Sequence, residues 1–361
     1  MRETRIRLFI VTVILVVVGT IMIYSASSVF AYEKYGDSAY FLKRHVLYLF
    51  IGFVLAASCM SVDYTKFRRY IKPVLLLSML LLVTVFIPGL SRAAGGARRW
   101  IAFGPVSFQP SEIAKMALVF YAADVLSRKQ SEISDFIYGF LPLMTVLGIA
   151  VFLILLEPDL GTAMALAAMI IIMAFVAGVN MKQIGLITLP GVLAVIGLIA
   201  MKPYRIKRIT AFLNPWADPR GTGFQIIQSF IALGSGGLFG VGLAHSKQKL
   251  FYLPEAHTDF IFSIIGEELG LVGTLGVVVL FGAFIYLGFR IAYSARDLFG
   301  QFLAFGLVTM IALQAIINIA AVTGSVPTKG LPLPFISYGG TSLVYSMVSV
   351  GLLLNIARHR K

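Results

Sequence analysis

The sequence predicts an all-α, polytopic membrane protein with about ten transmembrane helices, and three observations predict it. Of its 361 residues 59% are hydrophobic and 13% charged, against roughly 25% charge in soluble globular domains. Apolar stretches able to cross about 30 Å of hydrocarbon, roughly 17–25 residues each, recur from end to end. Between them the chain shows no internal repeat, low-complexity tract, Walker-type glycine loop, dinucleotide fingerprint or His/Cys metal spacing. It therefore reads as a single integral membrane domain over 1–361, with no site for nucleotide-driven work.

The spans are expected at about 8–27, 46–62, 71–90, 111–127, 136–156, 161–179, 184–201, 260–289, 299–323 and 341–357. Arg2, Arg5 and Arg7 precede an apolar run that continues to about Tyr24 without a small-residue cleavage pattern, so this run is expected to stay as the first span. The fourth span carries Lys115 and Asp124 and should face protein or a water-filled cavity. A long outer loop, about 202–258, separates spans seven and eight. Within it, the apolar stretch 224–243 is broken by Gly234, Gly236, Gly237, Gly240 and Gly242 and reads as an interfacial or re-entrant element. Cys59 is the only cysteine and lies inside a span, so no disulfide or thiolate metal site is available.

Orientation follows from loop Lys and Arg. With both termini cytoplasmic, the inner segments hold 15 and the outer ones 14, of which seven lie in the long loop. The rule fades in loops of about that length; setting the loop aside leaves 15 against 7, so the termini are expected inside and the approach to Asp259 outside. The net charge of +14 then points to anionic lipid or a lipid-linked anionic substrate, and not to nucleic acid. Arg98 and Arg99 before the fourth span, and Arg205 and Arg208 after the seventh, stand on the outer side against the usual bias. Guanidinium forks suit phosphate oxygens, although lipid headgroups would attract the same residues.

Chemistry is expected where Lys249-Leu-Phe-Tyr-Leu-Pro-Glu-Ala-His-Thr-Asp259 meets the eighth span. Asp259 is a candidate general base, with Glu255 and His257 as neighbours that could bind a metal or tune it. The competing reading is an N-cap, since Thr258-Asp259 precedes an apolar run. Glu112 and Lys115 share a helix face and either form a structural pair or floor a substrate cavity. Glu157-Pro-Asp159-Leu-Gly-Thr is a tight outer turn in which Asp159 is a second metal or substrate candidate. The segment Pro327-Thr-Lys329-Gly330 to Ser337-Tyr338-Gly339-Gly340 is a Pro- and Gly-rich loop. It serves as a connector, or as a lid carrying Lys329 and Ser337 to a phosphate. Glu267 and Glu268, inside the eighth span, read first as buried, hydrogen-bonded groups.

Taken together, Gly-Ala-Arg98-Arg99-Trp100-Ile, Phe108-Gln-Pro-Ser-Glu112, Glu157-Pro-Asp159-Leu-Gly-Thr, Leu213-Asn-Pro-Trp216, Phe224-Gln-Ile-Ile-Gln228-Ser, Gly234-Ser-Gly-Gly-Leu-Phe-Gly240, the Asp259 segment and Pro334-Phe-Ile-Ser-Tyr-Gly-Gly340 resemble the SEDS family (shape, elongation, division and sporulation), typified by FtsW and RodA. The likeness spans nearly the whole chain and leans to the division branch. It implies a peptidoglycan glycosyltransferase of the bacterial cytoplasmic membrane that polymerises lipid II on the outer face, with Asp259 as the catalytic residue. It also implies a partner transpeptidase, a class B penicillin-binding protein, among divisome or elongasome membrane proteins. A divalent cation (Mg or Mn), with Asp259 and Asp159 as its candidate ligands, is expected to help; no organic cofactor is. On this reading Asp259 deprotonates the acceptor sugar hydroxyl while Arg98, Arg99, Arg205, Arg208 and Lys329 hold the departing pyrophosphate. The alternative is a lipid II flippase, whose site would lie near the membrane midplane.

Overall fold

The computed structural model describes residues 1–87, 91–94, 97–103, 106–133 and 135–359, with the side chains of residues 92–94, 97–98, 103 and 106 outside the description. Thirteen α-helices run through the described residues: α1 (Arg2–Tyr35), α2 (Tyr40–Ser61), α3 (Tyr64–Phe67), α4 (Ile71–Thr84), α5 (Pro110–Arg128), α6 (Leu141–Leu156), α7 (Leu160–Val176), α8 (Met181–Ala200), α9 (Pro203–Leu213), α10 (Phe224–Ser235), α11 (Ile261–Tyr293), α12 (Leu298–Val322) and α13 (Gly340–Arg358). Among the described residues, seven stretches are long and apolar enough to cross a membrane, namely α1, α2, α6 with the wide turn Phe136–Phe140 that leads into it, α8, α11, α12 and α13. The other three expected spans are helical too, but differ in kind. The helix α4 stops at Thr84, short of the expected end at 90; α7 has 17 residues; α5 carries Glu112, Lys115 and Asp124.

Burial sorts the helices. α5, α12 and α13 are covered on most faces, whereas α8 shows almost nothing but apolar side chains to its surroundings. A continuous core joins Leu118, Val119 and Ala122 of α5 with Met169 and Met173 of α7 and Leu303, Leu307 and Ile311 of α12. The outward Leu, Ile, Val and Phe of α2, α4 and α8 suit a hydrocarbon solvent. Asn355 of α13 closes one end: its Nδ2 donates to the Cys59 and Val62 carbonyls at 2.7 and 2.6 Å, and its Oδ1 accepts from Tyr64 N at 3.3 Å. Asp124 is buried between Arg68, 2.6 Å away, and Arg128, as a charge inside a span requires.

Two departures from the all-helical expectation position the site. Residues between α4 and α5 form a three-stranded antiparallel sheet, β1 (Ser91–Ala94), β2 (Ala97–Phe103) and β3 (Val106–Phe108), in the order β1-β2-β3. Ser107 N on β3 donates to the Tyr48 hydroxyl of α2 at 2.9 Å. The long loop holds α9 and α10, and α10 runs past Gly234 and ends at Ser235, before Gly236, Gly237, Gly240 and Gly242.

Those glycines do more than interrupt. Helix α11 is broken at Gly270 (φ 66°, ψ −162°), and residues 237–242 cross the break. Val241 and Gly242 donate their amides to the Glu267 and Glu268 carbonyls, while Leu271 and Val272 donate to the Gly237 and Leu238 carbonyls, at 2.9–3.1 Å. A Cβ at Gly236 or Gly240 would collide with the Gly266 or Glu268 carbonyl. The backbone groups freed by the kink are thereby satisfied within protein, as a low-dielectric setting demands.

Candidate active site

Asp259 sits in the turn before α11, and its side chain does not cap that helix: the cap position is Phe260, with no side-chain capping bond. The N-cap reading therefore fails, and the carboxyl is left for other work. With Phe260 it lines a pocket completed by Ile317, Asn318, Ala321 and Val322 of α12 and by Thr328, Lys329, Gly330 and Leu331. A Cβ at Gly330 (φ 60°) would come within 3.0 Å of Asp259 Oδ2, so glycine lets the loop backbone close over the carboxyl. Burial pushes the Asp259 carboxyl up, the Glu255 carboxylate adds to that, and the Arg208 guanidinium opposes both, leaving it at about 7.

Lys329 links this pocket to a second group. Its stem packs against Gly161 at the start of α7 and its Nζ lies 3.6 Å from Met164 Sδ. Burial lowers its ammonium below the usual range while Asp159 pulls the other way. Asp159 caps α7, accepting from Thr162 N at 3.1 Å and from Thr162 Oγ1 at 2.9 Å. Arg99, on β2, grips the same turn: Nε donates to the Glu157 carbonyl at 3.1 Å, Nη2 to the Pro158 carbonyl at 2.5 Å, and Nη1 lies 3.8 Å from Asp159. Glu157 beside it is buried with neither carboxyl oxygen hydrogen-bonded. Burial and the adjacent Asp159 push it to about 8 against the pull of Arg99.

At a second small pocket that shares Leu331 with the first, Lys115 Nζ lies 2.7 Å from Glu112 and donates to Gln314 Oε1 at 3.0 Å. Gln314 Nε2 in turn donates to the Pro332 carbonyl and to Ser342 Oγ, both at 2.9 Å. Through Gln314 the pair is tied to the Lys329 loop at Pro332. One turn along α12, Asn318 Nδ2 donates to the Asp259 carbonyl at 2.8 Å and to the Leu331 carbonyl at 2.7 Å.

Other expected residues are placed elsewhere. The Ser337 hydroxyl accepts from Leu333 N at 2.8 Å inside its own loop. The His257 ring is buried among Phe41, Phe30 and Tyr338, with centroids 4.4, 5.6 and 5.9 Å away, and burial lowers it to about 4, so it is neutral. Arg205 turns back to the Leu198 carbonyl at 2.7 Å and onto Tyr204. Arg208 is exposed yet close enough for its charge to act on Asp259. The Arg98 side chain lies outside the described residues. Among the described residues no three His, Cys, Asp or Glu come together. A divalent cation therefore finds no protein cage at Asp259 or Asp159, and substrate phosphates would have to supply much of its shell.

The FtsW/RodA/SpoVE model, described as a cell cycle protein family, matches residues 6–361. The chain belongs to that family. It is 48% identical over 348 residues to a "Probable peptidoglycan glycosyltransferase FtsW" of Geobacter sp. (strain M18), covering 96% of this chain and 94% of that protein. It is 46% identical to the "Stage V sporulation protein E" of Bacillus subtilis, covering 98% and 97%. Among solved structures it is similar, at a TM-score of 0.80 and 30% identity over 98% of this chain and 97% of the other, to a chain described under "Structural coordination of polymerization and crosslinking by a peptidoglycan synthase complex". Membership confirms the expected family, and the helical fold agrees with that of its solved relatives. Sequence reasoning passed over Gln314 and Asn318, and named Glu157 and Lys249 only as members of their segments. For Gln314 and Asn318 the signal was available: two amides four residues apart in an apolar span share one helix face.

Proposed function

We propose that this chain is a peptidoglycan glycosyltransferase that polymerises lipid II at the outer face of the bacterial cytoplasmic membrane, with both termini cytoplasmic. Relatives named as such at nearly half identity over almost the full length support the activity. The Lys and Arg distribution supports the orientation. The likeness to a chain of a peptidoglycan synthase complex supports a cross-linking partner, a class B penicillin-binding protein.

The observation that carries the reaction is a half-buried carboxyl at about 7, walled by Lys329 and within the field of Arg208. Near neutral pH such a group is both available and basic enough to accept a proton. Asp259 takes the proton of the acceptor 4-hydroxyl as its oxygen attacks the anomeric carbon of the growing strand. The new glycosidic bond forms with inversion, the bond to pyrophosphate breaks, and undecaprenyl pyrophosphate leaves. Lys329 and Arg208 are the cations best placed to meet the charge that develops on the leaving group. Arg99, held by the 157–159 turn, shapes the wall beside Lys329.

A carrier would need an open polar site near mid-membrane. Lys115, Asp124, Glu267 and Glu268 are each engaged by protein partners, which favours the enzyme. The test is detergent-purified protein with labelled lipid II, where there is no membrane to flip across. Wild-type polymer and none from Asp259→Asn is the expected result; equal polymer from both would end the base assignment.

A further inference from the structure

Asn318 is 3% exposed and lines the Asp259 pocket. Its amide is oriented by chemistry: two carbonyls, of Asp259 and Leu331, stand 2.8 and 2.7 Å from Nδ2. Reversing the amide would set oxygen against both, so the NH2 end is fixed there and both its protons are used. Oδ1 is consequently turned away from them, and it is buried with no hydrogen-bond partner. Buried polar atoms are rarely left so, because each forfeits the bond that it made to water. The acceptor is held, next to the base, by the same residue that fixes the base's main chain. The pocket's internal volume is about 10 Å³, about the space of one water, so what it takes in is a single hydroxyl and not a whole ring.

From this we infer that Asn318 Oδ1 is a substrate acceptor: it takes a hydrogen bond from a hydroxyl flanking the one that Asp259 deprotonates, the 3- or 6-hydroxyl of the acceptor sugar. The contact does two things at once. It satisfies the orphaned oxygen, and it sets the ring so that the 4-hydroxyl faces the carboxyl. Lys115 and Gln314 do not compete for this role, since they already bond each other and the Pro332 carbonyl. A neutral acceptor suits a sugar edge, whereas phosphate, itself an acceptor, would be repelled. Cations at Lys329 and Arg208 therefore draw the leaving group and Asn318 draws the hydroxyls, which separates the two ends of the site by chemistry.

The inference rests on the lipid II reading, and the experiment separates the two. Polymerisation is measured with lipid II and with analogues lacking the 3- or the 6-hydroxyl of the terminal sugar, for wild type, Asn318→Leu and Asn318→Asp. Wild type is expected to lose about tenfold in kcat/KM on one analogue, the scale of one hydrogen bond. Asn318→Leu is expected to be slow on lipid II and to show no further loss on that analogue. Asn318→Asp, which when protonated donates to one of the two carbonyls, still offers its other oxygen to the pocket and should recover the discrimination. Should the leucine variant lose activity on each analogue by the same factor as wild type, the residue only staples the backbone and the inference falls. Should it fail to fold, the aspartate variant decides alone: indifference to both analogues overturns the contact. No polymer from wild type on lipid II itself would overturn the enzyme reading instead.

Discussion

Asp259 and Glu268 stand nine residues apart, one in the turn before α11 and the other near the end of its short first segment, and they are treated oppositely by the fold. Glu268 is fully buried and surrounded: Lys249 Nζ lies 2.8 Å from Oε1, and Ser25 Oγ from α1 donates at 2.7 Å. Beside it Glu267 accepts from Ser246 Oγ and from Lys247 N, the latter at 2.9 Å. Asp259 receives no such escort to its carboxyl; what the fold holds is its main chain, through Asn318. A saturated carboxylate is scaffold, since any reaction must first break its bonds. One with its backbone clamped and its oxygens free is a tool.

That contrast can be broken from either end. The largest effect is expected at Asp259→Asn, which keeps shape and removes basicity: polymerisation should fall by about 10²–10⁴, the usual contribution of a positioned base. The same variant should not be less stable. Burial raises the carboxyl from 3.8 to about 7, so the folded state holds its proton more tightly, and ionisation weakens the fold as pH rises through that window. Thermal unfolding of Asp259→Asn at pH 8 should therefore match or exceed wild type; a large drop would make Asp259 structural.

At the other end, Lys249→Met leaves Glu268 buried without its cation. A loss of about 3–5 kcal/mol is expected for removing one partner of a buried pair, read as a lower unfolding midpoint in detergent; no drop would show that the pair is dispensable. A smaller, sharper effect lies in the pH profile. The rate should fall by about tenfold per unit below the Asp259 midpoint, near 7. Arg208→Gln, which deletes the charge that opposes the upward shift, should move this acid limb to higher pH; an unmoved limb would detach Arg208 from Asp259. Least affected should be Arg205→Gln, within about threefold of wild type, because its guanidinium is committed to the Leu198 carbonyl and Tyr204.

What was legible in the sequence follows the same physics. Long apolar runs announced helices because no other structure satisfies a backbone in hydrocarbon. The spacing of Glu112 and Lys115 gave their pairing, and the polar approach to the eighth span pointed to Asp259, for which the family motifs implied a role. Local pattern could not reveal β1, β2 and β3, where charged and small residues alternate irregularly and the last strand is tied to Tyr48 of a distant helix. His257 and Ser337 looked functional as residue types; only the fold reveals that aromatic rings enclose one and a loop amide occupies the other. Asn318 was hidden for the opposite reason. Its importance lies in which two oxygens it touches, and both are main-chain atoms that sequence does not display.

The glycine strand threaded through the gap in α11 has a consequence for synthesis. Residues 237–242 leave the ribosome before Gly270, so the plug exists before the hole that it must fill. A nascent α11 entering the bilayer with its gap open would bare the Glu267 and Glu268 carbonyls to lipid, at several kcal/mol each. The two halves thus have reason to insert as one hairpin with the preceding segment, which closes the stretch of chain that carries Asp259 between two fixed points.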